Sequence, residues 1–359
     1  MSMLFIALLS LLFTNFAQAS GNNVDLLIEN NPKIMKDFEY VSRLDIKREV
    51  KIAVIGDYVH PEEFESIKTN PEEIEGNGID DDGNGYIDDI FGFDSDMRNG
   101  RLLTPVMTGH ENGIVSIMDA IISNYNLSRF VSIIPINIYT SDGRFDEFRF
   151  KKLADSIDYA IARGAKIISI SQGVSKFNRY SFRFIDGDAN KSMAYIQSAI
   201  DRAKNSGAVV VGSVSNEAAR DHVLDPSIPG NLENVLSVAN VNFNGVIESG
   251  YGKNVDLAYY GTDIFVWEGR CGDYKYQSIW TCDQGGNNSG FKSVKGSSLS
   301  TPIVALSLGI LSATGVDLVM SNRLKEDIRS SCSDSIVGKR NTISKCIYSP
   351  SKFSTKYKK

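Results

Sequence analysis

The residues best placed to do chemistry lie in GSSLSTPIVALSLGILSAT, residues 296–314. A glycine and two serines are followed by Thr301, Pro302 and an apolar run. Pro302 suits the first turn of a helix, where no backbone N–H is needed. Val304, Leu308 and Leu311 recur at helical spacing, which predicts a buried helix. Ser298 therefore sits in a tight turn just ahead of that helix. First-turn N–H groups stabilise negative charge beside the serine, an environment suited to a nucleophile. The same position is also that of an ordinary N-cap. A second stretch with chemical content is the acidic loop TNPEEIEGNGIDDDGNGYIDDIFGFD, residues 69–94. Asp80, Asp82, Asn84 and Asp88 alternate around Gly85, a spacing at which oxygen ligands wrap a hard cation such as Ca2+. The twelfth residue from Asp80 is Phe91 rather than the bidentate glutamate of an EF-hand. A solvated acidic turn has the same composition.

Something must position these residues. VKIAVI (50–55), VSIIPINI (131–138) and KIISIS (166–171) are unbroken β-branched runs, read as strands buried on both faces of a parallel sheet. The segment LADSIDYAIARGA between the last two reads as a helix ended by Gly164, giving a right-handed βαβ unit. TGHENGIVSIMDAIISNY (108–125) predicts another helix, with Ile114, Ile117, Met118 and Ile121 on one face and His110 at its start. Residues 194–206 predict a further helix, and AVVVGSVSNEAA then gives a strand that closes on Asn216. This alternation predicts a doubly wound α/β domain, with a mostly parallel sheet and helices on both faces.

The 359 residues carry a net charge of -6, which argues against nucleic acid as the main partner, since that needs a basic face. Residues 1–19 are apolar, uncharged, and end in the small-x-small site Ala17-Gln18-Ala19. They read as a signal peptide whose core is short for a membrane span. The expectation is an exported chain, extracellular or periplasmic, with no stable membrane insertion after cleavage. The four cysteines suit an oxidising compartment. Local pairing, Cys271 with Cys282 and Cys332 with Cys346, is predicted among three possible connectivities. Residues 20–48 form a short polar N-terminal extension. The Ser/Lys-rich tail from 347 is predicted to fray.

The chain also resembles a known family. GSSLSTP resembles GTSMATP, the nucleophile motif of the subtilases, the subtilisin-like serine proteases, and Ser298 falls on the nucleophile. The resemblance covers most of residues 50–315. It implies His110 as general base, since TGHENG stands against HGTHVA, with Glu111, Asn112 and Gly113 departing from the motif. It implies Asn216 as an oxyanion-hole donor, from VSNEAA against AAGNEG, with Ser215 in place of a glycine. Ser171-Gln172-Gly173 resembles Ser-Leu-Gly, a segment that pairs with extended substrate by strand addition. Residues 235–264 match a long family segment that speaks for fold, and the acidic loop resembles an insertion common in bacterial subtilases. The orienting aspartate is displaced. The family strand reads VAVIDTGVD, and here Gly56 stands in the aspartate's place with Asp57 one residue later. A one-residue slip reverses the face of a regular strand. A curled strand end recovers it. In a second alignment GDYVHPE matches the later family segment GVDYTHPE, with the aspartate deleted. Asp57 is the candidate.

The resemblance implies a serine endopeptidase acting on polypeptides through an acyl-enzyme on Ser298. The alternative is a pseudoprotease, a secreted peptide-binding module. The peptidase domain is predicted over 49–330 and as a monomer, with structural Ca2+ and no cofactor for catalysis. The family's folding prodomain is longer than residues 20–48. The loop over 265–292, with Trp267, Trp280 and the Cys271/Cys282 pair, either walls the cleft or is a stapled surface loop.

Overall fold

The computed structural model describes residues 24–100, 102, 109–140, 149–175, 188–216, 227–252, 254–269, 290–334 and 346–357. The signal peptide, Trp280, Cys271 and Cys282 lie outside them.

The strands, in chain order, are β1 (Val50–Gly56), β2 (Phe93–Asp94), β3 (Val131–Asn137), β4 (Ile167–Ile170), β5 (Val174–Ser175), β6 (Val209–Ser213), β7 (Ser227–Ile228), β8 (Val235–Val241), β9 (Leu257–Tyr260), β10 (Ile264–Trp267), β11 (Phe291–Val294), β12 (Cys332–Asp334) and β13 (Ile347–Tyr348). The main sheet runs β12-β13-β9-β8-β6-β4-β1-β3-β2. Every pairing in it is parallel except β12 with β13.

Successive side chains of a strand point to opposite faces, and both faces here are covered. Ile52 and Val54 join the core that holds the apolar residues of the helices His110–Asn124 and Ser297–Ala313. Ala53 and Ile55 join a second core, under the helices Arg149–Ala162 and Ala189–Asn205. This explains why β1 reads as an unbroken apolar run rather than an alternating one. Each fully buried Val or Ile side chain contributes about 1.5–3 kcal/mol.

The flanking segments pack onto the same body. Asn31 exchanges hydrogen bonds with the Phe265 backbone, donating at 2.7 Å and accepting at 2.9 Å. The N–H groups of Lys47 and Arg48 both reach the Ala313 carbonyl at the end of the Ser297–Ala313 helix. The tail differs from expectation. Residues after 346 enter the sheet as β13 and then form the helix Pro350–Thr355, capped by Ser349. Ile347, Tyr348 and Phe353 are each buried, so three apolar anchors outweigh the Ser/Lys-rich composition around them. The predicted Cys332–Cys346 disulfide is present. Trp267 is buried and packs edge-on against Phe64, as part of the core.

Candidate active site

Strands β6, β4 and β1 are neighbours, and the chain leaves all three at their carboxyl ends, where open parallel sheets bind ligands. Asp57 follows β1, Ser171 and Gln172 follow β4, and Asn216 lies just beyond β6.

The helix carrying Ser298 begins at Ser297, so Ser298 is not in a turn ahead of it as the sequence suggested. Ser298 thus lies inside the first turn, half-buried among buried neighbours. Pro302 lies within the helix and lacks the N–H that would have met the Ser298 carbonyl one turn back. The Ser171 hydroxyl takes that carbonyl instead, at 2.9 Å. In return Ser298 Oγ donates to the Ser171 carbonyl at 3.1 Å. Beside this pair, the Ser297 N–H holds the Asn216 side-chain oxygen at 2.8 Å. The amide is pinned by its oxygen, so its Nδ2 hydrogens remain to serve an acceptor at the surface. Gly296 keeps that arrangement possible. Its φ is +155°, and a Cβ there would stand 3.1 Å from Asn216 Nδ2. The N–H of Ser298 is a first-turn donor that the helix itself does not use.

The expected base, His110, lies beside Gln172. His110 is the first residue of its helix, after Gly109 at the cap. Its Nδ1 is 2.9 Å from Glu111 Oε1. Gln172 Nε2 donates to the same oxygen at 3.1 Å and stands 3.4 Å from His110 Nδ1. Tyr139 fixes Gln172 by donating its hydroxyl to Oε1 at 2.9 Å. Burial by itself would lower the His110 pKa. The Glu111 charge and hydrogen bond, with Asp57 and Glu268 behind them, push it up to about 9. With Nδ1 against a carboxylate, the neutral ring keeps its proton there and offers a lone pair at Nε2. Asp57 is buried, and its Oδ1 accepts the Tyr58 N–H at 2.8 Å. Asn112 Oδ1 accepts the His60 N–H at 3.0 Å.

Sequence reasoning assigned the orienting role to Asp57 and passed over Glu111. The signal was available as a pair of departures: a missing acid at Gly56 and a new acid at Glu111. Gln172, whose main chain was expected to pair with substrate, turns its side chain to His110 and Glu111. Gly173 is exposed at the start of the segment that runs into β5.

The acidic loop is arranged differently from its sequence pattern. Asp80 accepts the Asn84 and Gly85 N–H groups, and Asp88 the Gly78 N–H. The carboxylates that converge, within 4.8 Å of one another, are Glu73, Asp82 and Asp89. Asn84 Nδ2 lies 2.9 Å from Asp82 and 3.2 Å from Asp89. Asp89 is matched by Arg163 at 2.7 Å and by the Tyr159 hydroxyl at 2.7 Å. Glu73 Oε2 is buried with no hydrogen-bond partner among the described residues. An all-oxygen set with one such atom fits a hard cation.

The sequence matches the subtilase family, Peptidase S8, over residues 110–331, and the chain belongs to that family. The matched span opens on His110 and leaves out β1 with Gly56 and Asp57. The chain is similar to thermitase of Thermoactinomyces vulgaris, 27% identical over 228 residues, 62% of this chain and 65% of that protein. The alignment thus spans about 65% of the length of that relative. Among solved structures, a lanthipeptide protease superposes with a TM-score of 0.60 at 15% identity, covering 93% of this chain and 97% of that one. A cold adapted subtilisin-like serine proteinase gives 0.56 at 16% identity, covering 86% and 97%. These two likenesses concern the fold. Among the described residues no helix is long and apolar enough to cross a membrane.

Proposed function

We propose that the chain is an exported serine endopeptidase that cleaves polypeptides through an acyl-enzyme on Ser298. The observation that carries this reading is the set of linked positions at the strand ends. Ser298 is tied to Ser171, Asn216 is pinned to Ser297, and His110 stands beside Gln172, the residue after Ser171. Ser298 Oγ turns from the Ser171 carbonyl to His110 Nε2 and attacks the peptide carbonyl carbon, passing its proton to Nε2. The oxyanion is held by Asn216 Nδ2 and the Ser298 N–H. The C–N bond breaks as Nε2 returns the proton to the leaving amine. Water then attacks the acyl-enzyme, releasing the acid and restoring the serine. The substrate main chain pairs with residues 171–173 as an added strand. Asp57 contributes negative charge behind the base.

In the same reading residues 1–19 are removed on export, residues 49–330 form the peptidase domain, and the working unit is a monomer. Ca2+ bound in the acidic loop, through Asp82 with Glu73, Asp89, Asp80, Asn84 or Asp88, supplies charge and rigidity there and takes no part in the chemistry.

The test is fluorophosphonate labelling with mass mapping of the adduct, beside Ser298→Ala. An adduct on Ser298 is expected. Folded protein that stays unlabelled with and without Ca2+ would overturn the reading. That result selects the alternative, a peptide-binding subtilase without turnover. One observation favours the alternative: the Ser298 hydroxyl donates to a backbone carbonyl.

A further inference from the structure

Three of the departures from the subtilase motifs meet at one point. Gly56 stands where the resemblance places the aspartate, Glu111 where it places glycine, and Gln172 where it places leucine. A Cβ built on Gly56 would lie 1.8 Å from Glu111 Oε1, 2.2 Å from its Cδ and 2.8 Å from its Cγ. An aspartate's carboxyl carbon is one bond from its Cβ. The Glu111 carboxylate therefore fills the space that an aspartate side chain at 56 would need.

We propose that Glu111, lodged in the gap left by Gly56, is the positioning carboxylate that holds the His110 ring, so that the acid of the triad has moved from the end of β1 to the residue beside the base. This rests on the endopeptidase reading for its role in turnover. Glu111 is fully buried, yet faces the ring nitrogen directly. A buried carboxylate is costly unless it is paired, and its Oε2 has no hydrogen-bond partner among the described residues. His110 and the Gln172 amide are what compensate Oε1. Adjacent residues on a helix normally diverge, so the pair does not meet through helix geometry alone. It meets because the strand below has no side chain at 56 to occupy the space between. Gln172, itself fixed by Tyr139, supplies the polar neighbour that a buried acid needs and a leucine would not. Asp57 stays close enough to act on the ring as a charge, and Glu268 acts likewise, paired with Lys292 at 2.5 Å.

Two measurements separate this proposal from the reading it rests on. The first needs no turnover. His110 is titrated by NMR in Ser298→Ala, alone and combined with Glu111→Gln or Asp57→Asn. There are three histidines in the chain, so the signal is assignable by substitution. The ring should titrate near 9 in the parent. Glu111→Gln should bring it down toward the ordinary histidine value, and Asp57→Asn should move it less. The reverse ranking would overturn the proposal, whether or not wild type labels with fluorophosphonate.

The second measurement is kcat and KM on a peptide substrate. Glu111→Gln should lower kcat on the order of 10^4-fold with little change in KM, as expected for removal of the acid behind a catalytic histidine. Asp57→Asn should cost far less. The decisive variant is the swap Gly56→Asp/Glu111→Gly, which returns the acid to the strand. It should recover at least tenfold over Glu111→Gly alone, whereas Gly56→Asp alone crowds Glu111 and should impair the enzyme. Glu111→Gln within threefold of wild type, or a swap no better than Glu111→Gly in protein of native circular dichroism, would sink the idea.

Discussion

The proposed nucleophile half of the site and the proposed base half have diverged to different degrees. Ser298, Asn216 and Ser171 fall where the subtilase motifs put them, and their contacts are short and reciprocal. The His110 half keeps only the histidine. The acid, the residue after the base and the residue after Ser171 have all changed, and they have changed into contact with one another. The difference has a physical basis. The nucleophile half must place donors against an oxyanion whose position is fixed by the substrate backbone, so each donor has little freedom. The base half must only hold an imidazole and stabilise its cation. A carboxylate reaching Nδ1 from any direction does that.

That contrast can be broken or sharpened by substitution. The largest effects belong to residues both arrangements share. Ser298→Ala and His110→Ala should each lower kcat on the order of 10^6-fold, read against active-site-titrated wild type. Nearly equal losses mean the two act as a unit. A His110→Ala loss of only tenfold would mean the base half is idle. Asn216→Ala should cost about 10^2–10^3-fold in kcat and leave the shape of the pH profile alone, because it touches only the oxyanion.

The base half should show itself in pH dependence. The base must be neutral to act, and His110 is pushed up to about 9, so kcat/KM should climb with pH through that region. A plateau already reached at pH 7 would contradict the coupling to Glu111. Gln172→Leu should cost only about tenfold and move that profile upward, since less of the Glu111 charge is then shared with an amide. The smallest effect is on stability. His110 is held above its ordinary 6.5, so its pairing stabilises the fold fully below 6.5 and loses that contribution as pH rises through about 9. Urea unfolding should therefore show wild type losing more stability over that interval than Glu111→Gln.

Much of the fold was legible because parallel strands covered on both faces must be written as unbroken apolar runs. β1, β3 and β4 announce themselves so. The tail was less legible. Ile347, Tyr348 and Phe353 are too few to outweigh serines and lysines in a compositional reading, although they suffice once a sheet edge exists to receive them. At the proposed site, Ser298, His110 and Asn216 were named by motif, since each keeps its place in the chain. Glu111, as the proposed positioning acid, showed only as a departure from the motif, because that role depends on a vacancy at residue 56 that is distant in sequence. The acidic loop was legible in part: spacing pointed to Asp80, Asp82, Asn84 and Asp88, and Asp82 converges with Glu73 and Asp89 from outside that pattern, while Asp80 and Asp88 accept backbone N–H groups.

The missing rung at Pro302 has a further consequence. Because the proline frees the Ser298 carbonyl, the nucleophile is joined to Ser171 by two hydrogen bonds running in opposite directions. In the proposed reaction the peptide is laid along the strand that starts at that same residue. The attacking oxygen and the docking track therefore share an origin. Ser171 becomes the zero of a ruler from which substrate residues are counted, and a shift of the serine helix would carry the ladder with it rather than change which bond is cut.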